Sequence, residues 1–281
     1  MPALPVLAEH TNYFSRFATL SWRSLAQIVR APSHSRRAEA ARRSARHVVL
    51  LMAIIGVAIV VLMYALDVRE IGLMPPRGSP GLWPARILTD FGKDIYVLGA
   101  LGALLIAIAM VAPALRGIQR SLLLGLGTRL QFLFFAVLVS VLAGELIKWI
   151  VGRGRPFVGG QANAFNFSHF AGTEAYSSFP SGHATTAFAL AFAVAAIWPR
   201  ARIAMIVYAL VIAATRLVLL AHHPSDVVAG ALVGITGAMA VRYWFAARRL
   251  GFAIHRDGTI VALTGPSPGR LKRVAGGAFA P

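Results

Sequence analysis

Three short stretches of this chain bring together residue types that do chemistry. Lys148 is followed by Arg153, Arg155 and Pro156; Pro180-Ser181-Gly182-His183 forms the second stretch; Arg216, His222 and Asp226 form the third. The permanent cations Lys148, Arg155 and Arg216 suit a phosphoryl group, because ammonium and planar guanidinium groups neutralise its oxygens and the charge that develops when phosphorus is attacked. Ser181 is placed to cap a helix start and Gly182 lets backbone approach closely, so the free N–H groups there make a second anion site. Of the two histidines, one attacks phosphorus and the other protonates the leaving oxygen. His222 and Asp226 are four residues apart, with Pro224 suited to a first helical turn between them. That spacing predicts the Asp226 carboxylate beside the His222 ring, holding one ring N–H and leaving the other nitrogen free to attack. His183 is then the general acid.

The elements that must position these groups are apolar. The chain has 281 residues, 57% hydrophobic and only 14% charged, a composition that points away from a soluble globular domain and into a bilayer. Runs near the length needed to cross hydrocarbon as a helix fall at about Val48–Leu66, Ile95–Leu115, Phe132–Val151, Ala184–Trp198, Ile203–Ala221 and Val227–Phe245. The expected fold is therefore all-α, six transmembrane helices in one bundle, with the fourth span short. The first run starts after about 46 mostly polar residues, so no signal peptide is expected.

Lys and Arg outnumber Asp and Glu by 28 to 10, for a net charge of +18. They stand between apolar runs, which favours anionic lipids as partners and excludes nucleic acid. Arg16 to Arg46, then Arg116, Arg120 and Arg129, then Arg200 and Arg202, and finally Arg248 to Arg273 fall on one side of six spans, which the positive-inside rule makes cytoplasmic. Both termini then lie inside, and all three chemical stretches lie at the outer surface. The expected organisation is a basic arm over 1–46, a membrane domain over 47–246 and a short basic tail over 247–281. The arm is either an amphipathic surface helix or a disordered basic segment. In the tail, Asp257-Gly258 between short apolar runs signals a hairpin in a small cytoplasmic appendage.

The chain has no cysteine, which excludes disulfides, thiolate metal sites and cysteine nucleophiles. No cofactor and no metal are expected, since no group of His and carboxylates has the ligand count of a di-metal site and the cations already supply charge. The spacing specifies no oligomeric state.

Lys148-x6-Arg155-Pro156, Pro180-Ser181-Gly182-His183 and Arg216-x5-His222-x3-Asp226 resemble, in order and internal spacing, the three signature motifs of the type-2 phosphatidic acid phosphatase superfamily, which includes the vanadium haloperoxidases. Thr215 stands where that family usually has serine. The resemblance implies His222 as nucleophile, Asp226 as its orienting partner and His183 as acid, with Lys148, Arg155, Ser181, Gly182 and Arg216 holding phosphate. It also implies a metal-independent lipid phosphatase with a six-helix core, acting through a phosphohistidine.

Other residues keep more than one reading. Glu145 is a buried charge partner of Lys148, a protonated carboxyl or a catalytic group, Arg153 touches substrate or faces head groups, and His169 and His223 are loop residues or substrate contacts. The aromatics of the 157–179 loop either floor a lipid pocket or anchor the loop in head groups. Candidate substrates are an isoprenoid (undecaprenyl) diphosphate, phosphatidylglycerol phosphate or phosphatidic acid, and a lipid A phosphate. The competing class is a transporter or binding protein that captures an anionic lipid head group without chemistry, for which the His222, His183 and Asp226 set is superfluous.

Overall fold

The computed structural model describes residues 12–159 and 163–263; Arg270, Lys272 and Arg273 of the expected tail, and the first eleven residues of the arm, lie outside them. Within the rest of the arm lies a first helix, α1 (Tyr13–Val29), started by Asn12, whose side chain accepts a hydrogen bond from the Ser15 N–H at 2.8 Å. Its polar edge is fastened to the bundle: Tyr13 Oη donates to the Met110 carbonyl at 2.6 Å, and Gln131 Nε2 donates to Ser24 Oγ at 2.7 Å.

Among the described residues eight further α-helices follow: α2 (Arg37–Ala65), α3 (Asp67–Leu73), α4 (Trp83–Asp90), α5 (Asp94–Val111), α6 (Gly117–Val151), α7 (Gly182–Ile197), α8 (Arg202–Val218) and α9 (Pro224–Ala247). The domain boundary expected at 46/47 falls inside α2, which runs unbroken through it. Among the described residues five helical stretches are long and apolar enough to cross a membrane: Arg37–Ala65, Pro80–Val111, Gly117–Val151, Pro199–Val218 and Pro224–Ala247. The expected fourth span is the 16-residue α7, about 24 Å long and shorter than a full crossing. The chain is thus a mostly helical, multi-pass membrane protein with five candidate crossings and one shorter apolar helix. The third span begins at Gly117 rather than Phe132, because Arg120, Arg129 and Gln131 lower hydropathy without breaking a helix.

α7 is the central element and packs against α6, α8 and α9. It is lined with alanine on its inner faces, and Ala187, Ala189 and Ala193 are fully buried. Gly230, Gly234 and Gly237 of α9 face α7 and α6 where no Cβ would fit, the small-residue device by which helices approach backbone to backbone in lipid. The apolar window of α2, by contrast, is entirely unburied by the protein itself.

The tail forms the expected hairpin, β1 (Phe252–Ile254) paired antiparallel with β2 (Ile260–Ala262), turning through Asp257-Gly258. It is less detached than an appendage. Phe252 is buried and meets Phe132 of α6 edge to face at 4.8 Å, within the main hydrophobic core.

Candidate active site

The three stretches converge at one end of the bundle. Lys148 comes from the last turn of α6, His183 from the first turn of α7 and Arg216 from the last turn of α8. Arg155 lies on the loop after α6, and His222 on the turn before α9. A cavity of about 270 Å³ is lined by Lys148, Arg155, Gly182, His183, Arg216 and His222, six of the eight expected site residues. Asp226 and Ser181 lie behind this wall, each fully buried.

Local sequence explains the placement. Gly152 ends α6 in a left-handed conformation (φ 56°), a backbone state that suits glycine. Its carbonyl accepts the Ser168 N–H at 2.7 Å, which folds the long loop back over the helix end. Pro224 begins α9, and the Asp226 carboxylate accepts the His223 N–H at 2.9 Å, satisfying one of the open donors of that helix start. The Asp226 carbonyl accepts the Ser181 N–H at 2.9 Å, joining the starts of α9 and α7. Ser181 occupies the N-cap position of α7 but makes no side-chain cap bond. Its Oγ and the Nε2 of His183 are buried polar atoms without a hydrogen-bond partner among the described residues.

The cations carry partners. Lys148 pairs with Glu145, and Arg155 with Glu174 at 2.8 Å, the Glu174 side chain being 92% exposed. Glu145 is therefore a charge partner of Lys148, but an exposed one and not the buried group expected, because its side chain lies on the open side of α6. Arg216 donates from Nη1 to Thr89 Oγ1 of α4 at 2.7 Å, while its Nε has no partner among the described residues.

One expected contact is replaced by another. His222 Nδ1 lies 3.9 Å from Asp226 Oδ2, but 2.8 Å from the Ser178 carbonyl oxygen. A carbonyl only accepts, so Nδ1 carries the proton and Nε2 keeps its lone pair. Burial, reinforced by Arg216 and Arg155, holds the His222 pKa well below its ordinary 6.5. The ring is therefore neutral at physiological pH.

Arg153 neither touches the cavity nor faces head groups. It is 1% exposed and donates to Asp226 Oδ1 at 2.6 Å, to Asp67 Oδ2 at 2.8 Å, to Ser225 Oγ at 2.6 Å and to the Ala164 carbonyl. His223 is buried behind the site, its Nδ1 3.3 Å from the Asp67 carbonyl. His169 stays on the loop, exposed, stacked with Phe167. Asp67, Glu70, Ser178, Ser225, Thr89, Asp94 and Glu174 all touch the site or its supports, and residue type and spacing single out none of them. Among the described residues no cluster of three or more His, Cys, Asp or Glu side chains is arranged to hold a metal ion.

Residues 129–250 match the PAP2 superfamily, so the resemblance carried by the three motifs holds over this segment. The segment contains every cavity-lining motif residue. Over 127 residues, 45% of its length, the chain is 40% identical to the lipid A 1-phosphatase of Rhizobium johnstonii and 39% identical to that of Rhizobium etli, covering 52% and 55% of those proteins. The chain spans about half the length of these curated relatives. No solved structure matches it significantly.

Proposed function

We propose that this chain, which carries a PAP2 superfamily domain over residues 129–250, hydrolyses a lipid phosphomonoester or diphosphate through a phosphohistidine. The observation that carries the reading is the cavity in which three permanent cations and two histidines face a common volume. A phosphate bound there is neutralised by Lys148, Arg155 and Arg216 and receives the N–H groups at the Gly182 helix start. Nε2 of His222 attacks phosphorus in line, the bond to the leaving oxygen breaks, and His183 delivers a proton to that oxygen. Water then cleaves the phosphorus–nitrogen bond, returning His222 and releasing phosphate. Asp226 stabilises the cationic intermediate from behind. No metal enters these steps.

In this reading α7 is the sixth crossing, the basic face that includes α1, Arg116 and Arg248 is cytoplasmic, and the cavity opens on the outer face of the cytoplasmic membrane. Among the candidate lipids, the similarity to lipid A 1-phosphatases favours a lipid A phosphate over undecaprenyl diphosphate, phosphatidylglycerol phosphate and phosphatidic acid. The test is phosphate release by the purified protein from this panel, with His222→Ala as control. Turnover of at least one lipid by the wild type and none by His222→Ala is expected. Binding of the lipids without phosphate release would replace the enzyme with a head-group binding protein.

A further inference from the structure

Between the Asp226 carboxylate and the His222 ring stands Ser178, and behind Asp226 stands a buried ion pair contributed from outside the motifs. We infer that Asp67, Arg153 and Ser178 are positioning residues that transmit the hold of Asp226 to the nucleophile, an inference that rests on the phosphatase reading above.

Both oxygens of Asp226 are occupied by groups other than histidine rings. Oδ1 accepts from Arg153 at 2.6 Å; Oδ2 accepts from Ser178 Oγ at 2.6 Å and from the His223 N–H. Ser178 is fixed a second time, its N–H donating to the Arg153 carbonyl at 3.0 Å. The residue so clamped is the one whose carbonyl accepts the His222 Nδ1 proton. Ring orientation therefore depends on the placement of Ser178, and Ser178 on Asp226 and Arg153.

Arg153 is in turn shared. Asp67 and Asp226 are both fully buried, and the one guanidinium between them cannot neutralise two carboxylates alone. Ser225 supplies the remaining donors to Asp67, through its N–H at 3.0 Å and its hydroxyl. Deleting the Asp67 charge leaves Arg153 free to shift wholly toward Asp226, which moves Ser178 with it. A displacement near 1 Å at a reacting group costs about 10²-fold in rate.

The experiment compares purified wild type, Asp67→Asn, Asp67→Glu, Ser178→Ala, Asp226→Asn and the doubles Asp67→Asn/Asp226→Asn and Ser178→Ala/Asp226→Asn. The measurements are kcat, KM, the rate of acid-labile phosphoenzyme formation, melting temperature and the His222 ring tautomer by nitrogen NMR. Asp67→Asn and Ser178→Ala should lower kcat about 10- to 100-fold, slow phosphoenzyme formation by the same factor, leave KM within about twofold, and mix the His222 tautomers. Asp67→Glu should recover part of the loss, and each double should be no slower than Asp226→Asn alone, because the groups act in series. Wild-type kcat in a folded Asp67→Asn, or doubles whose losses multiply, would overturn the inference. Should Asp67→Asn fail to fold, the Ser178→Ala and Asp226→Asn cycle decides by the same criterion. A wild type inert toward every lipid phosphate defeats the phosphatase reading alone, since the tautomer comparison still reads the positioning.

Discussion

Gly234 of α9 lies so close to Thr185 of α7 that a Cβ built on the glycine would collide with the threonine carbonyl oxygen. One turn nearer the cavity, a Cβ on Gly230 would sit 2.5 Å from the Ser181 carbonyl oxygen. The two helices that carry His183 and follow His222 thus touch backbone to backbone over successive turns. Their separation sets the distance between the two histidines.

Gly234→Ala should therefore lower stability by about 1–3 kcal/mol through overpacking and reduce kcat by more than the stability loss accounts for, because the helices must part. Gly99→Ala on α5 is the control, since nothing lies within 4 Å of a Cβ there. Thermal melts and kcat measured side by side check this; an unchanged melting temperature for Gly234→Ala would contradict the tight contact.

Activity should extend unusually far into acid. The His222 pKa is lowered from 6.5 by burial, so the ring stays neutral as pH falls through that value, and the acid limb of kcat/KM should lie below 6.5. The sign for stability agrees: a lowered pKa gives a contribution fully present above the unfolded value of 6.5 and lost as pH falls toward the folded one. A pH–rate profile with its acid limb centred above 6.5 would show that another group controls the reaction.

Glu70 makes an opposite demand. It is 3% exposed, both carboxylate oxygens lack partners among the described residues, and burial, together with Asp67 and Asp226, pushes its pKa up to about 7. A raised carboxyl pKa leaves full stability below the unfolded value of 4.5 and removes it as pH rises through about 7. Glu70→Gln should raise stability at about pH 8 by roughly 1–3 kcal/mol, the free energy of ionising a carboxyl against its dry surroundings, and give no advantage below about pH 4. Melts of both proteins across that range provide the check.

Glu174 holds Arg155 in an ion pair, and if Arg155 binds the substrate phosphate as proposed, the two compete for it. The pair is largely solvated on the carboxylate side, so it is worth at most about 1 kcal/mol. Glu174→Gln should lower KM by up to about fivefold with kcat unchanged. An increase in KM would assign Glu174 to substrate binding instead.

The motif residues were legible because cations and histidines bordering apolar runs stand out against hydropathy, and Pro224 and Gly182 mark helix starts by their own chemistry. The supports were not. Asp67 and Glu70 sit in a segment whose acidic and basic residues balance, which reads as a solvated loop; their burial follows from α9 packing over them. Arg153 follows a glycine whose left-handed turn sends it inward, away from the direction set by Lys148 and Arg155. Ser178 acts through its backbone carbonyl as much as its hydroxyl, and backbone atoms leave no trace in residue type. The early start of α6 was hidden because hydropathy measures suitability for lipid, whereas a helix needs only the absence of breakers.

The Asp67 carboxylate and the Ser225 N–H that completes its shell are 158 residues apart. A chain emerging at about 5–20 residues per second makes the acid roughly 8–30 s before its partner exists. During that interval α2 and α3 have already been delivered to the bilayer with a charge whose final surroundings are dry, so the aspartate must wait at a wet boundary. The Asp226 end of the bundle is therefore completed only once α9 has been made. A chain halted before α9 lacks Ser225 and Asp226, the groups that complete the shell around Asp67 and Arg153.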